Sequence, residues 1–267
     1  MSPDIEELPP LIEYRDISVM RGNQLALSHI NLKIDLGENV AILGPNGSGK
    51  TTLIKTITRE CYPLYDNSEP YLRIFGKDRW NLFQLRKLIG IVTNDLANEC
   101  IQEYLTPYSV ILSSFFSGLG IWKHNKVTEN MKKKTSEVMA LLEITHLADR
   151  PMTEISTGEA RRVIIGRALV HQPKALLLDE PTSSLDLKAT YELRQMLRKI
   201  AKAGTSIIMV THNLPDIIPE IKRVILLKEG QIFKDGPKDR LLASKAISEL
   251  FNAPLEVMKR DGYYYLW

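Results

Sequence analysis

Residues 44–51 read Gly-Pro-Asn-Gly-Ser-Gly-Lys-Thr, a full match to the spacing Gly-x-x-x-x-Gly-Lys-Ser/Thr. The residue types suit phosphate chemistry. Glycines let backbone N–H groups turn inward around phosphate oxygens. The helix that must follow adds the positive end of its dipole. Lys50 carries a full charge to the β and γ phosphates, and the Thr51 hydroxyl is a ligand for Mg2+. The context fits too, because an apolar strand-like run (Val40–Leu43) precedes the loop and a helical pattern begins at about Lys50.

A second apolar run, Ala175–Leu178, leads into two acids, Asp179 and Glu180. Asp179, at the strand end, is placed to hold Mg2+ through its water shell. Glu180 then faces the γ-phosphate and polarises a water for in-line attack. The same pair could instead cap the next helix. His212 ends a third run, Ser206–Thr211, and is a candidate γ-phosphate sensor. Ser156-Thr157-Gly158-Glu159 precedes an apolar helix. Its Ser-x-x-Glu spacing is a capping box, and the helix N-terminus it builds also offers N–H groups to an anion.

Strands alternating with helices position these groups, which predicts a mainly parallel α/β sheet. Strands are expected over Leu11–Ile34, with a turn at Arg21-Gly22-Asn23, and at Tyr71–Phe75 and Ile89–Val92. A helix is expected around Leu187–Ala203, and residues from about Asp95 to Val170 read as mostly helical. At the C-terminus, Asp261-Gly262 suits a type I′ hairpin turn between Leu255–Arg260 and Tyr263–Trp267. Either the hairpin covers core, or Tyr263, Tyr264, Tyr265 and Trp267 build a partner surface.

Composition narrows the classes. Among 267 residues, 35 Lys+Arg against 32 Asp+Glu leave a net charge of +3, too little to argue for nucleic acid. Hydrophobic residues at 44% and charged residues at 25% are the balance of an ordinary folded protein. Cys61 and Cys100 cannot build a disulfide framework, and a reducing compartment is expected. No run approaches the ~20 apolar residues of a membrane span, so any membrane role is expected to come through a partner. The acidic, Pro-rich residues 1–10 read as a loose arm rather than a signal peptide. Five lysines between Lys123 and Lys134 read first as a solvated helix face, with anionic lipid contact as the alternative.

Together these motifs resemble the ATP-binding cassette (ABC) ATPase family over about Leu11 to Leu242. The resemblance implies a RecA-like P-loop core, an antiparallel β subdomain and a helical subdomain (about 95–170) carrying the signature. The ATPase domain spans 11–252 and the hairpin 253–267. Asn46, Gly47, Ser48, Gly49, Lys50, Thr51 and Thr52 are similar to the Walker A loop, and Asp179 and Glu180 to the end of Walker B. Ser183–Asp186 resembles the D-loop, His212 the switch histidine and Ile155–Glu159 the signature. The implied mechanism is head-to-tail pairing with a second cassette around two Mg-ATP. Glu180 would be the general base and His212 a transition-state contact. Ser156 and Gly158 would bind the γ-phosphate in trans.

Three positions depart from the family pattern. Thr157 replaces the first signature glycine. Asn94 stands near the usual Gln, where its shorter amide could still reach Mg2+ or water. Arg21 stands where an aromatic often stacks on adenine, and a guanidinium plane can also stack. The run Ser113–Trp122 is similar to that of cassettes related to the molybdate-transport ATPase. The expected role is a transporter subunit, cytoplasmic and peripheral at the inner face of a membrane, driving separate transmembrane subunits. The alternative is a soluble, non-transport cassette in regulation or assembly.

Overall fold

The computed structural model describes residues 9–64 and 71–267. Most of the arm expected over residues 1–10 therefore lies outside the described residues. In chain order the elements begin with strands β1 (Ile12–Arg21), β2 (Gln24–Ile34) and β3 (Val40–Leu43), then helix α1 (Lys50–Ile57) and β4 (Tyr71–Ile74). Helix α2 (Leu82–Leu88), β5 (Ile89–Val92) and helices α3 (Asn94–Glu99), α4 (Pro107–Leu112), α5 (Glu129–Leu141) and α6 (Thr157–Leu169) follow. Then come β6 (Ala175–Asp179), α7 (Leu187–Lys202), β7 (Ser206–Thr211), β8 (Arg223–Lys228) and β9 (Gln231–Pro237). Helices α8 (Lys238–Leu241) and α9 (Ser244–Phe251) and strands β10 (Val257–Arg260) and β11 (Tyr263–Leu266) complete the described chain.

The central sheet has order β5-β6-β7-β3-β8-β9, parallel except for β9. Its inner strands are buried on both faces, which explains their unbroken apolar runs. Alternate side chains feed two separate cores. Ala41, Leu43, Leu176, Leu178, Ile207 and Met209 pack toward the helices on one face. Val40, Ile42, Ala175, Leu177, Ile208 and Val210 face the three-stranded antiparallel sheet β2-β1-β4 on the other. Parallel pairing brings the C-terminal ends of β3, β5, β6 and β7 to one edge. The phosphate loop, Asn94, Asp179–Glu180 and His212 emerge there, where α/β sheets bind ligands.

Helix α6 lies close on β5, because a Cβ added at Gly90 would come 2.7 Å from the Ala168 carbonyl oxygen. That neighbour is backbone and cannot swing aside. Gly90→Ala is expected to destabilise by ~1–3 kcal/mol, read as a lower urea midpoint with an unchanged slope.

Several elements escaped the sequence reading. The segment taken as mostly helical is broken by 3-10 turns and a non-helical stretch at residues 117–128. Helix α2 and strands β8 and β9 carried no expectation. In β8, Val224 to Leu227 are fully buried. Among the described residues the C-terminal strands pair only with each other, with Asp261 at φ 51 and Gly262 at φ 80 in the turn. Tyr263 and Tyr264 pack into the core, so they form no partner surface, while Trp267 stays 82% exposed. In the lysine stretch, Lys132 pairs with Glu129 at 2.8 Å and Lys133 with Glu137 at 3.9 Å on an exposed helix face.

Lys238 is buried under the hairpin, where its Nζ donates to the carbonyls of Ile218 and Pro219 at 3.2 and 3.3 Å. Burial, with the Lys222 and Lys259 ammonium groups nearby, outweighs Asp239 and pulls Lys238 down from 10.5 to about 8. The unfolded chain holds this proton more tightly, so through this group stability rises with pH between about 8 and 10.5. Lys238→Met is expected to flatten that rise, checked by urea titrations at about pH 7.5 and about pH 9.5.

Candidate active site

Gly44 to Gly49 form the loop between β3 and α1, with Gly47 at φ 79 and Gly49 at φ 101. Two glycines are demanded by close approach. A Cβ at Gly44 would lie 2.3 Å from the Leu227 carbonyl oxygen, and one at Gly49 would lie 2.7 Å from that of Ala26. The Lys50 Nζ donates to the carbonyls of Gly44 and Pro45 at 2.8 and 2.9 Å. Burial holds its ammonium below the usual lysine range, while Glu180 and Asp179 pull the other way. The Ser48 hydroxyl is buried with no hydrogen-bond partner among the described residues. A glycine-rich loop at a helix N-terminus, with a buried ammonium and an unsatisfied hydroxyl, fits a phosphate chain.

Beside the loop opens a cleft of about 660 Å³, lined by Thr51, Asn94, Asp179 and Glu180 and extending to Arg86, Ser114 and Gly118. Burial, with Glu180 beside it, pushes the Asp179 carboxyl up to about 6 despite the attraction of Lys50. Glu180 adopts a left-handed backbone at φ 46, its amide anchored to the Val210 carbonyl at 2.8 Å. Such strain in a non-glycine residue marks a position held for its side chain. His212 Nδ1 lies 2.9 Å from Glu180 Oε1. A carboxylate only accepts, so Nδ1 carries the proton in this contact and Nε2 is left for a second partner.

Thr51 and Asp179 offer a hydroxyl and a carboxylate to the same cleft, a hard-oxygen pair that fits Mg2+. Among the described residues no group of three His, Cys, Asp or Glu side chains could hold a metal alone. The pair therefore suits a cation whose remaining ligands are waters and phosphate oxygens.

Other candidates fall elsewhere. Ser156 caps α6, its hydroxyl accepting from the Glu159 amide at 3.3 Å and donating to the Glu159 carboxylate at 2.8 Å. The Ser156 backbone amide, donating to the same carboxylate at 2.8 Å, and the Ser156 hydroxyl hold the Glu159 carboxyl below its ordinary range. Gly158 is where α6 meets α7, since a Cβ there would lie 2.8 Å from the Ala189 Cβ. Asp186 caps α7 by accepting from the Ala189 amide at 2.7 Å. Ser156, Thr157 and Asp186 are exposed and do not line the cleft. Arg21 sits exposed at the β1–β2 turn, also outside the lining. Asn94 lines the cleft, but its Oδ1 already accepts from Arg161.

Sequence reasoning missed a buried hub at Asp216. Its Oδ1 accepts from Thr182 at 2.7 Å and Arg194 at 3.2 Å, and its Oδ2 accepts from Thr211 at 2.9 Å. It ties the segment after Glu180 to the residue before His212. An acid inside the apolar stretch Leu214–Ile218 was the available signal.

A sequence model of the family described as "ABC transporter" matches residues 27–183. The chain belongs to that family. The hemin import ATP-binding protein HmuV of Aliivibrio fischeri is 32% identical over 253 residues, covering 90% of each chain. An ATP-binding cassette of an ABC transporter solved in its ADP conformation shares the fold. It has a TM-score of 0.77 and 23% identity over 91% of this chain and 98% of that one. A dimeric cassette in a post-hydrolysis state with ADP and Pi has a TM-score of 0.69 and 26% identity, covering 85% and 98%. The two-sheet architecture is thus that of an ABC ATPase, a RecA-like P-loop core with an antiparallel β layer and a helical region. No helix among the described residues is long and apolar enough to cross a membrane.

Proposed function

We propose that this ABC protein is the ATP-binding and ATP-hydrolysing subunit of a transporter, pairing head to tail with a second cassette around two Mg-ATP and driving separate membrane subunits. The reading is carried by the convergence of the phosphate loop, Asp179, Glu180 and His212 at one sheet edge, with Glu180 and His212 2.9 Å apart. The Asn46–Thr52 loop holds the phosphates, with Lys50 as their charge partner. Thr51 and Asp179 would hold Mg2+, which when bound neutralises charge on the phosphate oxygens. Glu180 takes the proton of the attacking water, and His212 holds the carboxylate in place. The exposed α6 terminus, Ser156–Glu159, and the D-loop with Asp186 face the second cassette.

Residues 11–252 then work as one ATPase unit, with the helical part over about 95–170. The outer end of the cleft, near Arg86, Ser114, Ser117 and Gly118, receives the membrane partner at the cytoplasmic face. Arg21, exposed at the β1–β2 turn, would stack on adenine through its guanidinium plane.

The test is to recover tagged Glu180→Gln protein with ATP from gently solubilised cells and identify its partners by mass spectrometry. A stoichiometric multi-span membrane protein supports a transporter. A soluble partner, or self-association alone, shifts the assignment to a non-transport ATPase with a regulatory or assembly role.

A further inference from the structure

Arg161 lies on α6, just beyond the Ser156–Glu159 cap, and is only 5% exposed. Its Nη2 donates to Asn94 Oδ1, while Nη1 has no hydrogen-bond partner among the described residues. A guanidinium presents five donors in a rigid fork and is costly to bury without an anion. The favourable charge acting on it is the Asp179 carboxylate. Arg161 therefore contacts one cleft group directly, the amide oxygen of Asn94, and its charge is felt by a second, the carboxylate of Asp179. Both follow strand ends at the metal side of the cleft, Asn94 after β5 and Asp179 at the end of β6. A divalent cation needs oxygens of this kind, and two cations cannot share them without repulsion.

We propose that Arg161 is a positioning residue that competes with Mg2+ for the amide oxygen of Asn94, so that metal entry and release of the Arg161–Asn94 contact are linked. The proposal rests on the reading of Thr51 and Asp179 as the metal side of an ATP site. Linkage is reciprocal: whatever the metal does to this contact, the contact does to metal affinity. It also accounts for the amide that departs from the family pattern. In this chain Asn94 is matched to an arginine that reaches it from α6.

The test uses the full chain, AMP-PNP as nucleotide and Mn2+ as a paramagnetic substitute for Mg2+, with bound metal followed by electron paramagnetic resonance. Arg161→Met is expected to bind Mn2+ about tenfold more tightly in the presence of AMP-PNP, since a competing charge is gone. Its affinity for AMP-PNP in EDTA should change by less than about twofold. Arg161→Lys keeps the charge and loses the fork, so it should show a smaller gain. In an Asn94→Ala background the Arg161→Met gain should shrink, because one contested oxygen is missing. A merely structural arginine predicts equal or weaker metal binding, and that result in Arg161→Met, or in Arg161→Lys if the first variant does not fold, overturns the proposal. Failure of the parent chain to bind AMP-PNP would overturn the nucleotide reading and this inference with it. Nucleotide binding with unchanged metal affinity overturns this inference alone.

Discussion

Glu180→Gln is expected to bind ATP as tightly as the parent, to hydrolyse it at least about a hundredfold more slowly, and to run as a dimer in Mg-ATP. The substitution keeps the shape of the side chain and removes its capacity to accept a proton. The backbone should be undisturbed, because the left-handed residue 180 is held through its amide to the Val210 carbonyl rather than through its carboxylate. Binding should survive for an electrostatic reason as well. Asp179 and Glu180 place two adjacent acids beside the triphosphate site, and Glu180 helps to raise the Asp179 carboxyl. Removing one charge lowers repulsion toward an incoming polyanion. With ATP bound and its breakdown blocked, the closed pair accumulates. The measurements are phosphate release, nucleotide titration and size exclusion with light scattering in excess Mg-ATP. Full turnover would remove Glu180 as the proton acceptor, and a monomeric profile would count against the head-to-tail arrangement.

The contrast between Glu180 and Arg161 shows which parts of the site were legible in the sequence. Gly44–Thr51 and Ala175–Glu180 announce themselves because their requirements are local. A loop must turn, a helix must start, and a buried strand must end in acids, all within a few residues. The mainly parallel sheet was legible for the same reason, since Val40–Leu43, Ala175–Asp179 and Ser206–Thr211 are too apolar to belong anywhere but its centre. Arg161 looked like one more cation on a helix of mixed polarity. Its partner Asn94 lies 67 positions away, and only the packing of α6 onto β5 brings them together. Asp216 is similar: its ligands Thr182 and Arg194 come from residues 34 and 22 positions distant. The C-terminal hairpin was legible as a turn, because Asp-Gly sets local backbone angles. Which of its aromatic faces is buried depends on the surface it meets, and Tyr263 and Tyr264 turned inward. Arg21 is a different case. It was placed by correspondence with a family position, and it sits exposed at the β1–β2 turn.

Lys50→Ala is expected to weaken ATP binding at least about 30-fold, the low end of the ~2–5 kcal/mol lost when one member of a desolvated charge pair is removed. The loss should fall on binding far more than on stability. In the structure Lys50 is 6% exposed, and its ammonium is held by two neutral carbonyls, Gly44 and Pro45. Burial disfavours its charged form, as the downward displacement of its proton affinity shows. Removing it therefore relieves one cost while leaving two carbonyls less satisfied, and these effects oppose each other. In the ATP complex there is no such offset. The carbonyls give way to anionic oxygens, and the lysine is the one full positive charge that the loop itself supplies. Without it the phosphates also face Asp179 and Glu180 less well neutralised. Some of the lost affinity should thus return when Glu180→Gln is added to Lys50→Ala, an interaction expected only if both side chains act on the same phosphates. Nucleotide titration of the two single variants and the double, with thermal melts alongside, measures this directly. Unchanged affinity in Lys50→Ala would end the assignment of Lys50. Independent effects in the double variant would place Glu180 away from the phosphate that Lys50 holds.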